Sequence, residues 1–134
     1  MYGQPGTGGD VINHSNGFIN IFNTDGSFVK RFASQGNLSA PWGITKAPGS
    51  FWGDNGNTDD ILLVGNFGDG RINAFTPGGE LLGPLRAHGE PIVLEALWGL
   101  AFAPATSTFT DHSSLFFAAG VGGEQHGLFG LLKR

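Results

Sequence analysis

The amino-acid sequence predicts an all-β chain organised as an incomplete β-propeller, and three observations carry that reading. The first is composition: 24 glycines and 7 prolines in 134 residues, beside 12 phenylalanines and 3 tryptophans, with 40% hydrophobic and 13% charged residues. Glycine and proline at about twice their usual share favour turns over helices, while so large an apolar fraction argues against disorder. The second is an internal repeat. Pro41-Trp42-Gly43-Ile44-Thr45-Lys46-Ala47-Pro48 returns 56 positions on as Leu97-Trp98-Gly99-Leu100-Ala101-Phe102-Ala103-Pro104. Gly17-Phe18-Ile19-Asn20-Ile21-Phe22 returns 53 positions on as Gly70-Arg71-Ile72-Asn73-Ala74-Phe75, and Ile61-Leu62-Leu63-Val64-Gly65 returns 54 positions on as Leu115-Phe116-Phe117-Ala118-Ala119. The third is texture: Ile61-Leu62-Leu63-Val64 has no polar alternation, so both faces of that strand are expected to be covered. Small antiparallel sheets buried on both faces and repeated at this spacing are the signature of propeller blades.

Each period reads as four strands. In the complete copy they fall at about 42–47, 60–66, 70–76 and 80–86. Pro48-Gly49-Ser50, Asp54-Asn55-Gly56-Asn57, Gly68-Asp69-Gly70 and Pro77-Gly78-Gly79 separate them as turn material. Gly43 and Gly99 suit inner strands, where backbones of neighbouring sheets approach closely. The recurrence of Trp42 and Trp98 places them as packing residues between sheets, and Phe67, Phe116 and Phe117 read the same way. Laid side by side, the copies give a partial blade over 1–35, a complete blade over 36–88, and a blade lacking its fourth strand over 89–134. That is about two and a half blades, where closed propellers have four to eight.

The stretch Gly65 to Phe75, the run Leu97-Trp98-Gly99-Leu100, and Gly120 to Gly130 with Glu124-Gln125-His126-Gly127 resemble an uncharacterised bacterial propeller family. Its members are related to NHL-repeat proteins and are typically exported. The resemblance spans residues 10–132 and implies a six-bladed type of ring, with this chain as its C-terminal portion and an extracytoplasmic or secreted setting. Two features depart from the family: the start Met1-Tyr2-Gly3-Gln4-Pro5-Gly6 carries no signal-peptide pattern, and the Leu132-Lys133-Arg134 end carries no sorting tail. The resemblance brings no catalytic residues with it.

Several function classes are disfavoured directly. Seven basic against eleven acidic residues give a net charge of -4, and no basic run exceeds two residues, so a nucleic-acid footprint is missing. Absence of cysteine removes disulfides, zinc-thiolate sites and thiol nucleophiles. No apolar run approaches the roughly 20 residues of a spanning helix.

Candidate ligand-binding residues gather on the loops joining second to third strands and one blade to the next. They are His14 (with Asp10 and Asn13), Asn66, Asp69, Glu124 and His126, with His88, Glu90 and Glu95 contributed by the segment between blades. Carboxylates, amides and imidazoles around one axis suit a hard cation such as calcium, or a polar ligand. The competing reading makes Asn66 and Asp69 turn formers. Asp54 to Asp60 departs from the EF-hand pattern. Asp111-His112-Ser113 has triad residue types, but neighbouring strand residues face opposite ways. The expected function is therefore a non-catalytic scaffold or binding module without a cofactor, partnered by missing blades or by itself. The alternative is a calcium-assisted hydrolase of lactonase-like type.

Overall fold

The structure, a computed structural model, describes residues 16–52, 60–104, 106–108 and 113–133. Strands β1 (Phe18–Phe22) and β2 (Phe28–Ser34) form an antiparallel hairpin. Strands β3 (Pro41–Ala47), β4 (Ile61–Asn66), β5 (Ile72–Phe75) and β6 (Leu81–Pro84) form a four-stranded antiparallel sheet in chain order. A short hairpin, β7 (Arg86–Ala87) and β8 (Glu90–Pro91), leads to a third sheet of β9 (Leu97–Phe102), β10 (Leu115–Val121) and β11 (His126–Leu132), again in chain order. The all-β, antiparallel expectation holds. No closed ring is seen among the described residues.

Local chemistry explains the turns. His88 and Gly89 both take left-handed backbone, at φ 52° and 87°, as a two-residue hairpin loop demands. The expected turn after β3 is instead one turn of helix, α1 (Gly49–Trp52), in which the Phe51 N–H donates to the Pro48 carbonyl at 2.9 Å. It brings Phe51 and Trp52 onto the core, and the Phe51 ring meets Phe102 edge-on at 5.0 Å. Burial of these rings stabilises a turn that has no other reason to be helical.

The core lies on both faces of the central sheet. On one face Ile61, Leu63, Ile72 and Ala74 pack against Leu97, Leu100, Leu115 and Phe117 of the third sheet. On the other, Val64 and Phe75, with Leu62 beside them, pack against Phe32 and Leu38 and against Ile19 and Ile21 of the first hairpin. The apolar run at β4 thus has cover on both sides, as its lack of alternation predicts. Each fully buried aliphatic side chain there contributes on the order of 1.5–3 kcal/mol.

The repeat is visible in backbone detail. In β3, Pro41 lies opposite Asn66 and Gly43 opposite Gly65, which leaves Trp42 as an extra residue. In β9, Leu97 lies opposite Ala119 and Gly99 opposite Ala118, which leaves Trp98 extra in the same way. Both tryptophans therefore mark a β-bulge. Ahead of each bulge stands an alanine in left-handed backbone, Ala40 at φ 46° and Ala96 at φ 49°. The carbonyl of each accepts a hydrogen bond at 2.9 Å, from Phe67 N–H and from Gly120 N–H respectively.

Three sequence expectations are adjusted by this geometry. The register makes Leu115 the counterpart of Leu62, because Leu62 pairs with Lys46 and Leu115 with Phe102. The offset is thus one residue less than the direct alignment from Ile61 gives; a one-residue slip would exchange the two faces. Trp42 is no core residue: it is 51% exposed, because nothing among the described residues covers its side of β3, whereas the Trp98 ring lies against Gly120. Gly43 and Gly99 also differ. A Cβ on Gly43 would lie 2.6 Å from the Trp98 carbonyl oxygen, while one on Gly99 would meet nothing within 4 Å.

Candidate functional site

The polar residues singled out from sequence divide into two groups, each tied to one turn. At the first, the loop 35–40 after the hairpin crosses the turn between β4 and β5. Asn66 is fully buried, and its Nδ2 donates to the Asn37 carbonyl at 2.7 Å and to Asp69 Oδ1 at 3.0 Å. The fully buried Asn73 donates to the same Asn37 carbonyl at 2.9 Å, while Asp69 Oδ1 also accepts the Arg71 N–H at 3.1 Å. Ser39 is buried beside them, its carbonyl accepting the Gly68 N–H at 3.0 Å. The Asn66 Oδ1 is buried with no hydrogen-bond partner among the described residues.

These contacts close the β4–β5 turn and tie it to the loop 35–40. Asn37 and Asn73 do the same work and were not singled out from sequence. The signal was present: Asn20 and Asn73 occupy the same place in the repeated Gly-x-Ile-Asn-x-Phe run.

At the second turn, between β10 and β11, Glu95 Oε1 accepts the Gly122 and Gly123 N–H groups at 3.1 and 3.3 Å. Glu124 stands in left-handed backbone at φ 66° and accepts the Trp98 indole N–H at 3.4 Å. His126 opens β11 and is exposed. Both turns close alike, with Gly70 N–H donating to the Asn66 carbonyl and Glu124 N–H to the Gly120 carbonyl. At both places a segment between sheets meets a turn inside a sheet. They meet through backbone, amide and carboxylate hydrogen bonds. Among the described residues no three His, Asp or Glu side chains gather to hold a metal ion, Asp69, Glu124 and His126 included. His88 and Glu90 lie on the exposed β7–β8 hairpin. His14, Asp10 and Asn13, the acidic run 54–59 and the Asp111-His112 pair lie outside the described residues.

What the described surface does present is apolar. Beyond the third sheet, Phe116 and Phe129 stack at 5.8 Å with their planes 16° apart, and Phe129 is 73% exposed. Beyond the first hairpin, Phe22 and Phe28 meet edge-on at 5.6 Å and both are exposed. Along the edge of β1, a groove of about 310 Å³ is lined by Ile19, Phe22, Ile44 and Val64. A separate cleft of about 530 Å³ lies between α1, β6 and the end of β11, lined by Trp52, Leu82, Leu85, Ile92 and Leu132. No helix among the described residues is long and apolar enough to cross a membrane.

No family model matches the chain. Similar sequences occur in Acanthamoeba polyphaga mimivirus. The uncharacterized protein L690 is 43% identical over 119 residues, which is 88% of this chain and 29% of that protein. The uncharacterized protein R648 is 44% identical over 115 residues, 85% of this chain and 26% of its own length. The uncharacterized protein R640 is 36% identical over 88 residues, 65% of this chain and 16% of its own length. The chain thus spans less than a third of each of these relatives. They are viral, and none points to a bacterial exported family related to NHL-repeat proteins, so that resemblance is overturned. The six-bladed ring size and the extracytoplasmic setting were implied by it alone and lose their support.

Proposed function

We propose that this chain is a non-catalytic scaffold of the propeller kind, about two and a half blades, whose work is done by sheet faces that bind further sheets. The observation that carries the reading is the junction repeated at Ala40–Gly43 and Ala96–Gly99. Each has the same left-handed alanine, the same bulged tryptophan and the same hydrogen bond to the alanine carbonyl from the end of the next strand. A junction that repeats in such detail sets one sheet on the next by the same operation each time, which is how blades are laid around an axis. The partners that fit are sheets of the same design, and in the purified chain another copy supplies them. Buried amides that donate to one loop carbonyl, as Asn66 and Asn73 do to Asn37, fit a structural role better than a reactive one.

Sedimentation of the purified chain at micromolar concentration tests this reading. Association into a species that electron microscopy resolves as a closed ring of blades is the expected result. A folded monomer, or copies that pair as a two-sheet sandwich, overturns it.

A further inference from the structure

The register of the strands makes positions in the central and third sheets comparable one by one. Leu63 corresponds to Phe116, since Leu63 pairs with Thr45 and Phe116 with Ala101. Ile72 and Ala74, opposite Gly65 and Leu63, correspond to Phe129 and Leu131, opposite Ala118 and Phe116. In the central sheet Leu63, Ile72 and Ala74 are each 0% exposed, because the third sheet lies on them. Their counterparts Phe129 and Leu131 are 73% and 46% exposed. Gly43 and Gly99 repeat the contrast, one pressed on the next sheet's backbone and the other facing open space. The outer face of the third sheet therefore carries the pattern of an inter-sheet interface without the sheet.

The opposite end of the stack has the matching deficiency. Phe22 and Asn20 of β1 correspond to Phe75 and Asn73 of β5, since Phe22 pairs with Phe28 as Phe75 does with Leu81. Phe75 and Asn73 are buried against the preceding hairpin and its loop, whereas Phe22 is 56% exposed. On this face Arg31 donates to Asn20 and sets its guanidinium 4.4 Å above the Phe18 ring. A guanidinium on one face and a stacked aromatic pair on the other are complementary chemistry.

Resting on the scaffold reading, we infer that the occupant is a second copy of this chain, docked head to tail. The outer face of its β1–β2 hairpin covers the Phe116, Phe129 and Leu131 face of the first copy. Such a contact is heterologous, so a pair of copies keeps one free face of each kind, and rings or open filaments follow according to whether the rotation closes.

Two variants test it, each carrying a charge on one face only: Phe129→Asp and Phe22→Asp, with circular dichroism and melting to establish that both fold. Should either fail to fold, Phe129→Gln or Phe22→Gln replaces it. In analytical ultracentrifugation each variant alone associates more weakly than the wild type by about thirtyfold, the effect of losing a buried aromatic anchor. An equimolar mixture leaves one intact face of each kind, so it forms a 1:1 dimer and nothing larger. If the wild type associates but one variant alone keeps its homodimer, or if the mixture stays monomeric, the head-to-tail arrangement is wrong and the scaffold reading survives. If the mixture behaves as expected while the wild type grows into open filaments, the arrangement stands and the propeller reading falls. A wild type that stays monomeric overturns both.

Discussion

Ala40 and Ala96 hold left-handed backbone that a residue with a Cβ adopts at a cost of about 1–2 kcal/mol. Glycine at either place removes that cost but loses more chain entropy on folding, about 0.5–1 kcal/mol. Ala96→Gly is expected to stabilise the chain by roughly 0.5 kcal/mol in denaturant titrations, the balance of these two effects, whereas at Ala40, which is buried, loss of the methyl offsets that gain. Destabilisation by Ala96→Gly would mean that its methyl too is bound by packing. The buried amides have the opposite sensitivity. Asn73→Ala strips a donor from the Asn37 carbonyl and should cost about 1–3 kcal/mol, with Asn66→Ala lying toward the lower end because its Oδ1 already lacks a partner. Asp25 supplies a pH test. Its carboxylate accepts the Ser27 hydroxyl and amide at 2.6 and 2.8 Å, and these bonds hold its pKa below the ordinary aspartate value. A depressed pKa in the folded state adds stability above the unfolded-state pKa, and that contribution is lost as pH falls through the lower folded value. Carboxyl titration by NMR should find the depressed value and should find it moved back up in Ser27→Ala.

Within elements, the two glycines after the bulged tryptophans form a matched pair. Gly43→Ala would drive a methyl into the Trp98 carbonyl and the Leu100 backbone nitrogen, neither of which can give way without moving β9. A loss of about 1–3 kcal/mol is expected, as for other overpacked sites. Gly99→Ala adds a methyl in open space and should change the stability of the isolated chain by less than about 0.5 kcal/mol. Equal losses at both positions would show that the strand, and not its neighbour, requires glycine. The strands themselves were largely legible in the sequence, because runs such as Ile61 to Val64 between glycine-rich turns have few alternatives. The helical turn at Gly49–Trp52 was not, since what holds it is the burial of Phe51 and Trp52 on a surface assembled from distant residues.

For the molecule as a whole, three sheets leave two apolar ends, and contiguous apolar surface of this kind marks an interface or a path to aggregation. If the ends bind one another, folding and assembly are linked, and the melting midpoint should climb as chain concentration is raised. A midpoint indifferent to concentration would separate the stability of the stack from its association. The candidate site was less legible than the fold at this scale. Asn66, Asp69, Glu95 and Glu124 lie at turns and inter-sheet crossings, residue types that sequence alone reads both as turn formers and as groups for a hard cation or polar ligand. What the structure adds is their partners: the Asn66 amide donates to the Asn37 carbonyl and to Asp69, and Asp69 accepts the Arg71 N–H.

By itself the sequence determined an antiparallel all-β chain with a repeat and a β4 strand needing cover on both sides. These follow from local quantities: glycine and proline punctuation, β-forming runs, and the spacing of two Trp-Gly strands. Only the tertiary structure decided which residue of β10 answers which of β4, since a shift by one residue is nearly silent in an alignment and exchanges every side chain between faces. It likewise decided that Trp42 is exposed while Trp98 is half-buried, and that Gly43 is crowded while Gly99 is not. Identical residues at equivalent places differ there because burial belongs to the neighbour a face meets, and a repeat is blind to which of its copies stands at the end of the stack.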